Sequence, residues 1–200
     1  DPLFSAQWAL KNTGQNQGTA GIDINYLPAR EVTQGSSDII VAVLDHGTQL
    51  DHPDLNVSSK SYDTETGRSP SQIWGNHGTA CSGIISAKTN NNLGVAGIAP
   101  NCPVMSISNQ LMGTSDAPQK RADGFNWAWR NGASVISNSW RSSTFSELLE
   151  DAIQSAMTNG RNGLGCVVTF SAGNYDSNTV GYPARSLPDI IVVGALSLSG

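Results

Sequence analysis

The chain has 200 residues, of which 38% are hydrophobic, enough for one large domain with a sizeable core or for two small ones. Only 14% of the residues are charged and 21 are glycine, a composition that excludes a disordered chain and favours an α/β domain with many tight turns. The formal net charge is -5 and the 11 Lys and Arg residues are scattered, so we expect no nucleic-acid partner. No apolar run approaches the roughly 18 residues of a membrane span, and we expect none.

Apolar runs of strand length alternate with helical patterns along the chain. We predict strands over 39–44, 104–107, 134–137, 167–170 and 190–193. We predict helices over 26–33, 77–87 and 118–131, and a further helix that a capping box at Thr144–Glu147 opens and Gly160 ends. The segments 11–21 and 62–75 are predicted loops. This alternation predicts an α/β fold with a three-layer, doubly wound parallel sheet, and residues 1–200 contain no linker or internal repeat.

Three polar residues follow apolar segments or open a helix. Asp45 comes directly after the first strand, where open α/β sheets place functional groups. His77 follows Asn76, a good N-cap, and the small residues after it allow the helix to lie tight against a sheet. Asn174 follows Gly173 in the loop after the fourth strand. A neutral imidazole beside a carboxylate is what a general base needs, although each residue taken alone also fits a turn or a helix cap.

Five segments carry these residues and together resemble the subtilisin-like serine proteases (subtilases, peptidase family S8), thermitase-like members in particular. The matching segments are Asp45-His46-Gly47 with His52-Pro53-Asp54-Leu55, Asn76-His77-Gly78-Thr79 with Gly83, Gly94 to Pro100, Asn138-Ser139-Trp140, and Ser171-Ala172-Gly173-Asn174. They follow the family's order and spacing and cover nearly the whole chain. The resemblance therefore implies a subtilisin-like fold.

The same resemblance implies roles for individual residues. Asp45 would orient His77, and His77 would act as general base and general acid. Asn174 would donate its side-chain amide to the oxyanion of the tetrahedral intermediate. A polypeptide substrate would lie against Ser139, Trp140, Arg141, Ala172 and Gly173. Secretion, or another extracytoplasmic location, is also implied.

The family's nucleophile lies in a Gly-Thr-Ser-x-Ala motif, which does not occur in residues 1–200. By resemblance, Ser139 and Ser171 lie in the substrate strand and beside the oxyanion site, so they are not substitutes. We therefore expect residues 1–200 to be the amino-terminal part of one catalytic domain, incomplete at its carboxyl end, with an exposed apolar face and no activity alone. The serine would come from a carboxyl-terminal portion or a second chain.

Three other functions remain open at this point. The first is a non-catalytic, subtilase-like module that binds peptides or a partner chain. The second, a metal hydrolase using His46, His52 and His77, is weaker because no HExxH motif or recognisable zinc spacing is present. The third, a nucleotide-binding domain, lacks a glycine-rich phosphate loop after the first strand.

A structural calcium ion is a further implication of the resemblance, since Asp1-Pro2-Leu3-Phe4 resembles the start of thermitase-like members. The matching ligands are the side chains of Asp1, Asp54 and Asn91 and the backbone oxygens of Lys88, Leu93 and Val95. Calcium takes six to eight oxygen ligands, which a loop of Asn and Gly can supply. The alternative is a polar loop without metal.

Several positions depart from the family pattern or invite a second interpretation. His46 stands where most members have Ser or Thr; it either modifies the field at Asp45 or, as we expect, points away. Arg141 stands where the family usually has Gly, and it would either crowd the subsites or select acidic side chains.

Cys81 is one turn after His77 on the same helix face. The family's strand order puts Cys102 and Cys166 three strands apart, beyond disulfide reach, so we expect three free thiols.

Overall fold

The computed structural model describes residues 1–175 and 178–200 and contains a parallel sheet. Its strands are β1 (Ile40–Asp45), β2 (Tyr62–Asp63), β3 (Val104–Ser108), β4 (Ala133–Asn138), β5 (Val167–Ser171) and β6 (Ile191–Val193). They are ordered β2-β3-β1-β4-β5-β6, and every pairing is parallel. The predicted parallel sheet is confirmed. The prediction of a loop over 62–75 was wrong at its start, where the two residues of β2 pair with β3.

In the described part of the chain, α1 (Tyr26–Val32) precedes β1, and α2 (His77–Ser86), α3 (Ala117–Arg130) and α4 (Glu147–Gly163) connect successive strands from β2 to β5. Short 3-10 turns lie at Phe4–Ala6 and Gln15–Gln17. The predicted capping box was wrong, because the N-cap of α4 is Ser146, whose side chain accepts a hydrogen bond from Leu149 N at 3.3 Å. Regular helical geometry in α4 ends at Gly160, as predicted. Asn76 holds the N-cap position of α2, but its side chain makes no capping hydrogen bond.

The sheet is covered on both faces. Alternate residues of the central strands, Ala42 and Leu44 among them, pack in one buried cluster with Phe125 of α3 and Leu149 of α4. The intervening residues of β1 point to the opposite face, where α2 contacts β1 and β3. This arrangement gives the three-layer α/β architecture expected from the unbroken apolar runs.

The register of the sheet brings three strand ends to one level. Leu44 of β1 pairs with Asn138 of β4, and Asn138 pairs with Phe170 of β5. Neighbouring strands are about 4.8 Å apart. The loops after β1, β4 and β5 therefore begin side by side at the carboxyl edge of the sheet, which is where Asp45 ends its strand.

One edge of the sheet is apolar and open. Ile191, Val192 and Val193 of β6 are 51%, 36% and 56% exposed, which fits the expectation of an exposed apolar face. Cys81, Cys102 and Cys166 are free thiols, as predicted, and the strands that follow Cys102 and Cys166 are three steps apart in the sheet. Among the described residues, no helix combines the length and apolarity that crossing a membrane requires.

Candidate active site

A carboxylate and an imidazole meet at the carboxyl edge of the sheet. His77 Nδ1 lies 2.8 Å from Asp45 Oδ1 and 2.9 Å from Asp45 Oδ2. Asp45 is fully buried, whereas the side chain of His77 is 52% exposed. No described residue hydrogen-bonds Nε2 of His77. The pair therefore holds one ring nitrogen on a buried acceptor and leaves the other available to a reacting group.

Backbone contacts fix both partners. Asp45 Oδ1 accepts a hydrogen bond from His46 N at 2.7 Å, which orients the carboxylate. At Gly78 a Cβ atom would collide with the backbone of Gly47, so only glycine lets α2 begin this close to the loop after β1. One turn further on, the hydroxyls of Thr48 and Ser82 lie 2.7 Å apart and tie the same loop to α2.

Cys81 lies near the pair without the geometry of a nucleophile. Its Sγ is 3.7 Å from His77 Nδ1, the nitrogen that already faces Asp45. Burial, together with the nearby Asp45 charge, raises the pKa of the Cys81 thiol, which therefore stays protonated at neutral pH. Ser139 hydrogen-bonds Cys81, so the end of β4 reaches the same place. A Cys–His catalytic pair is thus excluded for this thiol, because Cys81 lies on the wrong side of the imidazole.

Of the other two histidines, His46 lies beside His77, contrary to expectation, and His52 lies elsewhere. The prediction that His46 points away was wrong: its ring lies edge-on to the ring of His77, with 6.2 Å between centroids. The loop leaves it little freedom, because a Cβ at Gly75 would come within 2.9 Å of His46 Nδ1. His52 instead accepts a hydrogen bond from Asp54 N through Nδ1, at 3.2 Å. Within residues 1–175 and 178–200, Asp45, His77 and Cys81 form the one group of three or more His, Cys, Asp or Glu side chains close enough to share a metal ion. The three histidines do not form such a group.

A cavity of about 990 Å³ lies at the ends of β4 and β5, and Arg141, Ala172 and Gly173 are among the residues that line it. Trp140 is buried beneath, with its ring edge-on to Phe170 at 5.0 Å between centroids, so it packs in the core. Ala172 N donates to Val193 O at 2.8 Å, which anchors this loop to β6.

Asn174 is exposed in the loop after β5, directly behind Gly173, whose φ of +109° is a conformation that glycine adopts readily. In the sheet, β5 lies two steps of about 4.8 Å from β1, with β4 between them. The loop therefore starts about 10 Å from the end of β1 on the same edge of the sheet. The role of Asn174 as an oxyanion donor stays a prediction.

The proposed calcium ligands converge on the loop after α2. Asp1 accepts backbone hydrogen bonds from Asn90 at 3.0 Å and Asn91 at 3.1 Å, so the first residue of the chain is fixed to that loop. Asn91 Nδ2 donates to Asp54 Oδ1 at 2.6 Å, and a Cβ at Gly94 would come within 2.7 Å of Asp54 Oδ2.

The chemistry of this donor set fits a hard cation. Asp54 is 5% exposed, and no described cationic group pairs with its carboxylate. No described donor reaches the backbone oxygens of Lys88, Leu93 or Val95. Asn91 must rotate its amide to present oxygen, because Oδ1 accepts from Leu93 N at 3.0 Å. A buried carboxylate without a described counter-ion, beside carbonyls that no described donor reaches, is an arrangement that Ca²⁺ stabilises.

Arg121, Tyr175 and Arg185 also line the cavity and were not among the predicted site residues. Arg121 lies on the buried side of α3 together with Ala117, Gly124 and Ala128. A helical wheel of α3 would have shown a cation at an inward position, a signal of either a buried ion pair or a ligand site. Tyr175 and Arg185 lie in loops that carry no periodic pattern.

Residues 36–200 match the sequence model of the subtilase family, Peptidase S8. The chain is 35% identical over 198 residues to a thermophilic serine proteinase of a Bacillus species, covering 97% of this chain and 47% of that protein. It is 32% identical over 220 residues to a calcium-dependent protease of a Nostoc species, covering 96% and 31%. It is 34% identical over 169 residues to subtilisin E of Bacillus subtilis, covering 82% and 42%. The chain thus spans less than half the length of each of these relatives.

Proposed function

The chain belongs to the subtilase family, and on that basis we propose that it supplies the general base, its orienting carboxylate and the peptide-binding cleft of a serine endopeptidase. The observation that carries the proposal is the placement of His77 Nδ1 within 2.9 Å of both oxygens of buried Asp45. A purely structural role does not explain this contact, because a buried carboxylate that faces a half-exposed imidazole adds little to the stability of the fold.

The pair can transfer a proton in both directions. Asp45 accepts a hydrogen bond from the Nδ1–H group and so keeps the proton on Nδ1, which leaves Nε2 of His77 as the basic nitrogen. Nε2 takes the proton from a serine hydroxyl as that oxygen bonds to the substrate carbonyl carbon, and it then gives the proton to the leaving amine as the C–N bond breaks. Water attacks the resulting acyl-enzyme with the same base. In this proposal Asn174 donates a hydrogen bond to the oxyanion in both steps.

The nucleophilic serine is proposed to lie in a carboxyl-terminal portion or a second chain, since neither Ser139 nor Ser171 occupies its place in the family pattern. Residues 1–200 would then be the amino-terminal part of one catalytic domain that works on polypeptides. An extracytoplasmic location is part of the same proposal.

The test compares the full-length protein with residues 1–200 expressed alone. We expect the full-length protein to hydrolyse a pooled peptide mixture and to react covalently with a fluorophosphonate, and residues 1–200 to do neither while retaining a folded circular dichroism spectrum. Turnover by residues 1–200 that a fluorophosphonate abolishes would refute the placement of the serine. A full-length protein that binds peptides but never cleaves them would favour the non-catalytic module instead.

We also propose that Ca²⁺ binds between Asp1, Asp54, Asn91 and the backbone oxygens of Lys88, Leu93 and Val95. The ion would neutralise the buried carboxylate of Asp54 and tie the first residues of the chain to the end of α2. The calcium-dependent protease of Nostoc, 32% identical, supports this assignment.

Removal of calcium should lower the thermal stability of the full-length protein. At a concentration 100 times the dissociation constant, a ligand adds about 2.7 kcal/mol, which corresponds to a rise in Tm of roughly 5–10 °C for a domain of this size. Differential scanning calorimetry with calcium and with EDTA measures this rise. Asp54→Asn should abolish it, whereas Asp51→Asn, in the same loop but exposed, should keep it. An equal Tm in calcium and EDTA would remove the site.

A further inference from the structure

The cavity beside Gly173 has an unusual charge for this chain. The protein carries a formal net charge of -5, yet three of its 11 basic residues, Arg121, Arg141 and Arg185, line this one cavity. The only acidic residue among the described lining residues is Glu150, so the cavity has a net charge of about +2. A positively charged cleft on an acidic protein attracts negatively charged ligands.

The guanidinium of Arg141 is oriented by stacking, in a way that suits binding of a carboxylate. Its guanidinium carbon lies 3.9 Å from the centroid of the Tyr175 ring, so one face of the fork is stacked on the aromatic ring. Its aliphatic chain passes Gly181, where an added Cβ would lie 3.3 Å from Arg141 Cβ. Arg141 makes no ion pair with any described residue. Stacking occupies the faces of a guanidinium and leaves its edge donors free, which is the geometry that binds a carboxylate bidentately.

Arg121 adds a buried charge that contacts no described carboxylate, although Glu65 lies near enough to act on it electrostatically. It is 2% exposed, and its guanidinium lies 4.8 Å from the centroid of the Trp140 ring. Its Nη2 donates to Met112 O at 3.1 Å, but no described residue hydrogen-bonds its Nε and no described carboxylate forms an ion pair with it. Burial lowers the pKa of the Arg121 side chain, although a guanidinium stays charged in proteins. A buried, unpaired cation that lines a cavity favours an anionic occupant.

We propose that this cavity makes the cleft selective for acidic peptides. Arg141 binds the substrate carboxylate nearest the reacting bond, and Arg121 and Arg185 favour a second negative charge. The inference rests on the proposed function, because it assigns a substrate class to the same cleft. Arg141 directly follows Trp140 at the end of β4, and Tyr175, on which it stacks, directly follows Asn174. A side chain docked on Arg141 therefore belongs to a residue bound beside the proposed oxyanion donor.

The test uses the full-length protein and two fluorogenic tetrapeptides that differ only in Glu or Gln before the scissile bond. Hydrolysis of a pooled peptide mixture is measured first, because its absence refutes the proposed function rather than the selectivity. In an active protein we expect kcat/KM to be about 10- to 100-fold higher for the Glu peptide, the size expected of a charge-assisted hydrogen-bond pair. The ratio should fall as salt rises from 0.05 to 0.5 M.

Variants separate a specific contact from a general effect of charge. Arg141→Gln should bring the Glu-to-Gln ratio close to one, and Arg141→Lys should leave part of it, since Lys keeps the charge but not the fork. Arg185→Gln, at an exposed position, should lower the ratio only for peptides with a second acidic residue. Arg68→Gln, outside the cavity, serves as the matched control. Equal kcat/KM values for the two peptides in the unmodified, active protein would overturn the proposal, as would an unchanged ratio in folded Arg141→Gln.

Discussion

Asp45→Asn in the full-length protein should reduce kcat by about 10⁴-fold with little change in KM, a loss similar to that known for the equivalent carboxylate of subtilisin. The amide has nearly the same shape, so the fold should survive. The asparagine side chain has no charged oxygen to accept the Nδ1–H hydrogen bond, and it does not stabilise the imidazolium that forms during proton transfer. Initial rates over a range of substrate concentrations separate kcat from KM.

The matched control for this experiment is Asp38→Asn, an exposed carboxylate just before β1. It should leave kcat within twofold and show that a lost surface charge is not the cause. If Asp45→Asn keeps more than a tenth of the original kcat, the Asp45–His77 contact is structural and the proposed mechanism fails.

The second large effect concerns the proposed oxyanion donor. Asn174→Ala should lower kcat by about 10²- to 10³-fold, the range found when such a donor is removed from subtilisin. The side chain is exposed, so the loss should appear in kcat and not in Tm. Parallel measurement of kcat and of thermal unfolding distinguishes the two.

Asn159→Ala, an exposed position on α4, is the corresponding control for loss of a surface amide. A fall in kcat of less than threefold in Asn174→Ala would show that the loop after β5 does not reach the reacting carbonyl. The remainder of the proposed mechanism, which depends on Asp45 and His77, would then need a different oxyanion donor.

The buried parallel strands were the most predictable part of the fold. Their apolar runs are continuous because both faces are covered, and the predicted ends agree with the structure to within one residue. Strand β2 was missed because two residues, Tyr62 and Asp63, are too short to carry a pattern and are extended only through pairing with β3.

Other misses arise from contacts between residues far apart in the chain. Thr144 and Ser146 both carry a hydroxyl suited to an N-cap, but Ser146 N and O both hydrogen-bond the hydroxyl of Tyr182, which fixes the start of α4 at Ser146. The orientation of His46 depends in the same way on its packing against Gly75.

Within the candidate site, the Asp45–His77 contact follows from the order of motifs along the chain, because the family resemblance already implies it. The arginine-lined cavity does not follow from that order. Arg121, on α3, and Arg185, in a loop beyond β5, meet Arg141 only through the packing of α3 and the loop ahead of β6. Neither position belongs to a recognised motif.

The close backbone contact between Gly78 and Gly47 has a consequence for how the sequence of such a protein can change during evolution. The start of α2, which carries the imidazole, rests backbone against backbone on Gly47. Apart from Asp45 and the Thr48–Ser82 contact, the position of the imidazole therefore depends little on the side chains around it. Other positions around the site can therefore change, as at His46 and Arg141. The substrate preference of such a protein can diverge while the Asp45–His77 pair keeps its geometry.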